Sequence, residues 1–251
     1  MKIIKNTDEK LVFIEEIEES LANAIRRSLN EIHTIAIDEV TFYKNDSALY
    51  DEIIAHRLGL IPLKNEKLGD IKECSCKGKG CNKCTIELKL SGKGPATIYS
   101  GELKGGDVVY DKMPIILLTG EQEIELVAHA RTGIGKEHIK FSPGLAYYRN
   151  IAEININKDC NDCKECVQAC PKNVLEDDKG KIKINDLYAC DLCEACVEAC
   201  KKSGKKAIEI KPGKEILFTI ESWGGMPAKN IFQAAVKVLG ENLEAVRKEI
   251  K

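Results

Sequence analysis

Eight cysteines fall in two runs of identical spacing: Cys160, Cys163, Cys166 and Cys170, then Cys190, Cys193, Cys196 and Cys200. Each run reads C-x2-C-x2-C-x3-C, and Pro171 follows the first as it does in bacterial ferredoxins. Thiolates so spaced bind the iron of [4Fe-4S] clusters. The second run repeats the first thirty residues later, position for position, so the motif is an internal repeat. In two-cluster folds the fourth cysteine of each run ligates the other cluster. The spacing therefore predicts one cluster on Cys160, Cys163, Cys166 and Cys200, and a second on Cys190, Cys193, Cys196 and Cys170. The second run has Lys201 where the first has Pro171.

The remaining four of the twelve cysteines, Cys74, Cys76, Cys81 and Cys84, sit in "CSCKGKGCNKC". Four soft thiolates on a short loop suit tetrahedral zinc, and with no histidine or open position the site would be structural. Lys72, Lys77, Lys79 and Lys83 around it would offset the negative charge of a metal held by four thiolates. No cysteine is left over for a disulfide, and the start "MKIIKNTDEK" has no signal-peptide character. Both point to a reducing cytoplasm. The longest apolar run, around "MPIILL", is too short to span a bilayer.

Charge excludes another class of partner. The 38 Lys and Arg nearly balance the 40 Asp and Glu, and aromatics are 5% of the chain, which speaks against a nucleic-acid-binding zinc module. A catalytic reading finds little support either. His33, His56, His129 and His138 have no nucleophile motif beside them, and "GIGKEH" lacks the first half of a phosphate-binding loop and reads as a turn. No flavin or nicotinamide fingerprint accompanies the cysteines to supply electrons.

The elements that must position these groups are legible in the periodicity. "KLVFIEE" reads as a strand, and residues 18–32 as an amphipathic helix with Leu21, Ala24, Ile25, Ser28, Leu29 and Ile32 on one face. "TIAIDEVTFY" alternates as a strand should, and "DEIIAHRLGLIPL" predicts a short helix with Gly59 as a left-handed cap. From about 85 to 140 alternating segments broken by Gly and Pro predict a sheet-rich region. "AEINI" before Cys160 and "EILFTIES" after Pro212 both alternate, so the cysteine-rich segment between them reads as an insertion. Within it "EDDKGKIKI" predicts a hairpin and "KAIEI" a terminal strand. A segment that small has too little core to fold easily without metal, so the clusters belong to its stability. Residues 227–250 predict a closing helix with Pro227 in its first turn, a possible bend at Gly240, and a stripe of Ile231, Ala235, Val238, Leu239, Val246 and Ile250.

"ANAIRRSLNEIHTIAIDEV", "DEIIAHRLGLIPL" and "ESWGGMPAKNIFQAAVKVL" together closely resemble the alpha-like subunit family of archaeal DNA-directed RNA polymerase, counterpart of the bacterial alpha subunit's amino-terminal domain and of the third-largest subunit of eukaryotic polymerase II. The resemblance covers essentially the whole chain. It implies an α+β architecture: a discontinuous assembly domain over 1–42, 148–157 and 213–251, a sheet-rich domain with the zinc loop over 43–147, and an inserted ferredoxin-like domain over 158–212. It implies pairing with subunit L through the helices at 18–32 and 227–250, with subunits N and P and the two largest subunits docking on that pair. Arg26 and Arg27 match the family's basic pair on the surface facing the large subunits. Many relatives have lost ligands from the ferredoxin runs, and this chain keeps all eight.

The function so implied is a non-catalytic assembly platform of DNA-directed RNA polymerase, with nucleotidyl transfer on other chains. The rival from another class is an iron-sulfur electron-transfer subunit of a redox enzyme, motivated by the eight cysteines. "NAIRR" and "HRLGLIPL" separate the two, because electron transfer has no use for them.

Overall fold

The computed structural model describes residues 1–64 and 85–250. It divides into two compact units, one of Met1–Ile4, Val12–Asn23 and Tyr147–Thr219, the other of Lys5–Leu11, Ala24–Ala146 and Ile220–Lys251. Among the described residues no helix is long and apolar enough to cross a membrane.

The first unit holds most of a four-stranded sheet. Its strands are β1 (Lys2–Asn6), β2 (Lys10–Glu15), β8 (Gly144–Ile156) and β11 (Ile208–Ser222), in the order β1-β2-β11-β8. Alternation sorts its side chains by face. Phe13, Tyr148 and Phe218 stack on one face, with ring centroids 5.4 Å apart for Phe13 and Phe218 and 6.2 Å for Tyr148 and Phe218. Val12, Ile14, Ile151 and Leu217 form an apolar cluster on the other.

The expected insertion leaves β8 and returns into β11. The Asn157 amide donates to the Ala207 carbonyl at 2.9 Å, and a Cβ on Gly213 would meet the Ile151 carbonyl at 2.8 Å. The two strands are therefore antiparallel neighbours, and only glycine permits that approach at 213. Between them lie α3 (Glu165–Ala169), the hairpin β9 (Leu175–Asp178) and β10 (Lys181–Ile184), a 3₁₀ turn at Leu187–Ala189, and α4 (Ala195–Lys202). The hairpin turns at Lys179 and Gly180, both at positive φ, as "DKGK" predicts.

The second unit is built on a three-stranded antiparallel sheet of β3 (His33–Asn45), β7 (Glu123–Ile134) and β4 (Thr85–Lys93), with β7 central. A two-stranded pair, β5 (Ala96–Tyr99) and β6 (Pro114–Leu118), completes it. The helix α2 (Asp51–Gly59) buries Ile54 and Leu58, one turn apart, in the core with Ile37, Leu88, Leu90 and Leu126. Arg57 donates to the Ile115 carbonyl at 2.7 Å. Gly59 is not the left-handed cap its position suggested. It stays within the helix, and the chain leaves through Leu60 in the right-handed region. His56 is exposed, and "GIGKEH" forms the turn expected of it.

The ladder between β3 and β7 slips between Ile37 and Glu39, leaving Asp38 bulged out of register. Its carboxylate accepts from Arg131 Nε at 2.6 Å and from Lys140 Nζ, and both cations lie over the Phe141 ring. Burial pushes the Asp38 carboxyl up, but the hydrogen bonds from Lys140 and Arg131 outweigh it and hold it below its ordinary value. A depressed carboxyl contributes stability above its unfolded value, about pH 4, and that contribution is lost as pH falls through the folded value. Asp38→Asn should thus melt below wild type near neutral pH, with the gap narrowing as pH falls below about 4. A gap that stays constant across thermal melts down to acid pH would sink this account.

The amphipathic helix near the start is α1 (Glu19–Ser28), continued by a 3₁₀ turn at Leu29–Glu31. The closing helix is α5 (Ala228–Glu249), unbroken through Gly240. It is anchored at its start by buried Ala228, Ile231 and Ala235, and Asn242 donates to Glu31 at 2.9 Å.

Candidate metal centres

The repeat in the sequence is a repeat in the backbone. Asp162 and Lys164 in the first run and Leu192 and Glu194 in the second all take left-handed conformations, φ 54°, 66°, 62° and 59°. Left-handed residues in a loop turn the chain sharply, and alternation of right- and left-handed residues is the backbone pattern of concavities that take anionic groups. The left-handed region costs a non-glycine residue about 1–2 kcal/mol. Four such residues at matching positions mark a loop shaped for what it holds. The third cysteine of each run then enters a helix, Cys166 in α3 and Cys196 in α4.

Cys170, Cys190, Cys193 and Cys196 line one cavity with Ile154, Val174, Ile210, Asp191 and Lys172. The fourth cysteine of the first run thus lies beside three of the second. Cys160 and Cys163 lie close enough to Cys166 for their charges to act on it, as does Cys196, and Cys160, Cys166, Cys196 and Cys200 share one apolar cluster. The fourth cysteines have matching partners: the Val174 amide donates to Cys170 Sγ and the Ala207 amide to Cys200 Sγ, both at 3.4 Å. All eight thiols are free, with Cys163 and Cys193 exposed and Cys166, Cys190, Cys196 and Cys200 buried.

Electrostatics say what the sites want. Burial, helped by the Cys160, Cys163 and Cys196 charges, pushes the Cys166 thiol up to about 11. Burial also raises Cys190, aided by Asp191, Cys170 and Cys193, and Cys196, aided by Cys170 and Cys190. Four thiolates packed this way repel one another unless a cationic core lies between them, which iron supplies. Donor type, number and crossing all fit [4Fe-4S] clusters. Among the described residues no three His, Cys, Asp or Glu side chains are placed to hold a single metal ion.

The other expected site residues are placed differently. Cys74, Cys76, Cys81 and Cys84 lie outside the described residues. Arg26 and Arg27 occupy the last turn of α1, Arg26 half-buried and Arg27 exposed. Sequence reasoning missed Leu187 and Tyr188, just before Cys190, which pack on the Val12, Ile14, Ile151 and Leu217 face of the sheet. The repeat carried the signal: the matching positions before Cys160 are Asn157 and Lys158, polar where these are apolar.

Two family models match the chain and together define an alpha-subunit-like polymerase protein carrying a dicluster domain. The RNA polymerase Rpb3/RpoA insert domain matches residues 35–146, and a 4Fe-4S dicluster domain matches 159–204. Relatives named DNA-directed RNA polymerase subunit Rpo3 match nearly end to end. That of Archaeoglobus fulgidus is 39% identical over 100% of this chain and 97% of its own length. Those of Methanothermobacter thermautotrophicus and Thermococcus kodakarensis are 38% and 36% identical, covering 96% and 95% of this chain and 95% and 92% of their own. The chain belongs to the archaeal DNA-directed RNA polymerase subunit Rpo3 family. It is a non-catalytic subunit of a transcribing polymerase, and end-to-end similarity of this kind does not favour the redox-enzyme reading that the cysteines alone allowed.

Proposed function

We propose that this chain is the platform on which the polymerase assembles, pairing first with subunit L and then receiving subunits N and P and the two largest subunits. One observation carries the pairing. Beyond Ala235 the helix α5 leaves its own core, and Val236, Leu239, Leu243, Val246 and Ile250 follow one another at alternating spacings of three and four. Leu243 is 63% exposed, Val246 55% and Ile250 82%. An apolar seam at heptad spacing, open to water, is the surface of a helix that packs on another chain. Arg26 and Arg27, at the end of α1, face the large subunits in this reading. The protein works in the cytoplasm, where its thiols stay reduced.

The ferredoxin-like domain, taken as 158–212, carries one cluster on Cys160, Cys163, Cys166 and Cys200 and the other on Cys170, Cys190, Cys193 and Cys196. When bound, the clusters supply cross-links that iron supply or oxygen can remove. The chain's own residues supply the rest: the left-handed loops orient the thiols, and the Val174 and Ala207 amides donate to the fourth ligands. Cys74, Cys76, Cys81 and Cys84 hold zinc for structure, within the sheet-rich domain of 43–147. The assembly domain is the remainder, 1–42, 148–157 and 213–251.

The test is reconstitution from purified subunits. Polymerase assembled with cluster-loaded chain should form in severalfold higher yield than with chain stripped of iron, while elongation by enzyme already assembled stays the same. Equal yields would remove the assembly role of the clusters. An elongation rate that follows cluster oxidation state would return the function to redox chemistry.

A further inference from the structure

The internal repeat gives a built-in control, because each cluster is approached by a segment at the same repeat position. The segment before Cys160, at 157–159, is exposed along its whole length. The segment before Cys190 is the 3₁₀ turn Leu187–Ala189, opened by Asp186, whose side chain accepts from the Tyr188 amide. Leu187 and Tyr188 pack on Val12, Ile14, Ile151 and Leu217. Polar contacts hold the same turn at both edges of the sheet. Arg149 of β8 donates to the Tyr188 carbonyl, and Lys2 of β1 donates to the Tyr188 hydroxyl at 3.2 Å and lies over its ring at 5.6 Å.

The turn also reaches the metal ligands. Leu187 and Ala189 share an apolar cluster with Ala152, Val174, Cys170 and Cys190. The apolar cluster that holds Cys160, Cys166 and Cys200, and Cys196 with them, meets the sheet strands, among the described residues, at Ile154, Ile156, Ile208 and Ile210, toward the ends where the insertion begins, and it holds neither Leu187 nor Tyr188.

We propose that the two iron-sulfur clusters hold the sheet unequally: the one on Cys170, Cys190, Cys193 and Cys196 is braced against it through Leu187 and Tyr188, and the other is not. Losing the braced cluster frees Cys190, the turn behind it loses its fixed end, and the sheet face it covers opens to water. Losing the other loosens the insertion and the strand ends alone. The inference rests on the ligand sets and the assembly role proposed above, and makes them specific: the braced cluster is the one whose presence the platform feels.

Hydrogen exchange of the full chain, anaerobically loaded and paired with subunit L, tests it. Cys163→Ala and Cys193→Ala are matched variants, each removing the exposed second ligand of one run. Peptides covering 11–15, 149–153 and 215–219 should exchange about tenfold faster or more in Cys193→Ala and within about twofold of wild type in Cys163→Ala. Equal loss of protection, or greater loss in Cys163→Ala, overturns the proposal. Should Cys193→Ala not fold, Leu187→Ala decides. With iron, sulfide and visible spectrum retained it should speed exchange in the same peptides, and unchanged exchange overturns the proposal as well. Assembly yield is read separately. Yields indifferent to either cluster would defeat the assembly role and leave the difference in exchange standing, so the two failures are distinguishable.

Discussion

Leu243→Glu combined with Val246→Glu is expected to weaken pairing with the partner subunit by about a thousandfold or more while leaving the chain's own fold intact. Both residues lie on the part of α5 where every residue from Gly240 to Glu249 is exposed, so glutamate there stays solvated in the isolated chain. In the pair each would place a charge inside an apolar seam with no partner to neutralise it. Truncating a central apolar contact at an interface costs about 2 kcal/mol or more, and burying an unpaired charge costs more than truncation. Size-exclusion chromatography of the two subunits mixed, with circular dichroism of the variant alone, reads both halves. A variant that still pairs at micromolar concentration would place the dimer surface elsewhere.

The largest effect on folding is expected at Phe218, which is 0% exposed and stacks on Phe13 and Tyr148 at interplanar angles of 16° and 14°. Phe218→Ala should cost about 3–5 kcal/mol, since it empties a ring-sized space and breaks both stacks. For a protein of this size that is a fall in melting temperature on the order of 10 °C. Phe218→Leu keeps much of the volume and should cost less than half as much. Calorimetry on the anaerobic protein separates these outcomes. A Phe218→Ala variant within about 1 kcal/mol of wild type would mean that the sheet relaxes around the gap, against the close packing of interiors.

How much of this was readable in advance depends on how local each signal is. The cysteine runs were legible because cluster ligation is written in spacing, and the second run copies the first. The strands "KLVFIE" and "TIAIDEVTFY" were legible because alternation is a property of a few consecutive residues. The Asp38 bulge was not, since it exists only where β3 meets β7 and the ladder slips. Gly59 misled because a glycine near a helix end is more often a cap than a helical residue, and tertiary packing decided otherwise. The Leu187–Tyr188 turn went unread because its apolar residues find their partners across the sheet, from Val12 to Leu217. Heptad spacing on α5 could be counted from the sequence, but its exposure came only with the fold.

The antiparallel neighbours β8 and β11 make the iron-sulfur domain a loop with a closed base. Lengthening or trimming such a loop is cheap in chain entropy, about 0.6 kcal/mol for each doubling, so a lineage can shed the domain and join the two strands by a tight hairpin turn. The cost of that deletion falls elsewhere. Val12, Ile14, Ile151 and Leu217 would lose the residues that cover them. Descendants without the domain should carry polar residues at those four positions, a correlated change that comparison of gene lineages can detect even though none of the four touches iron.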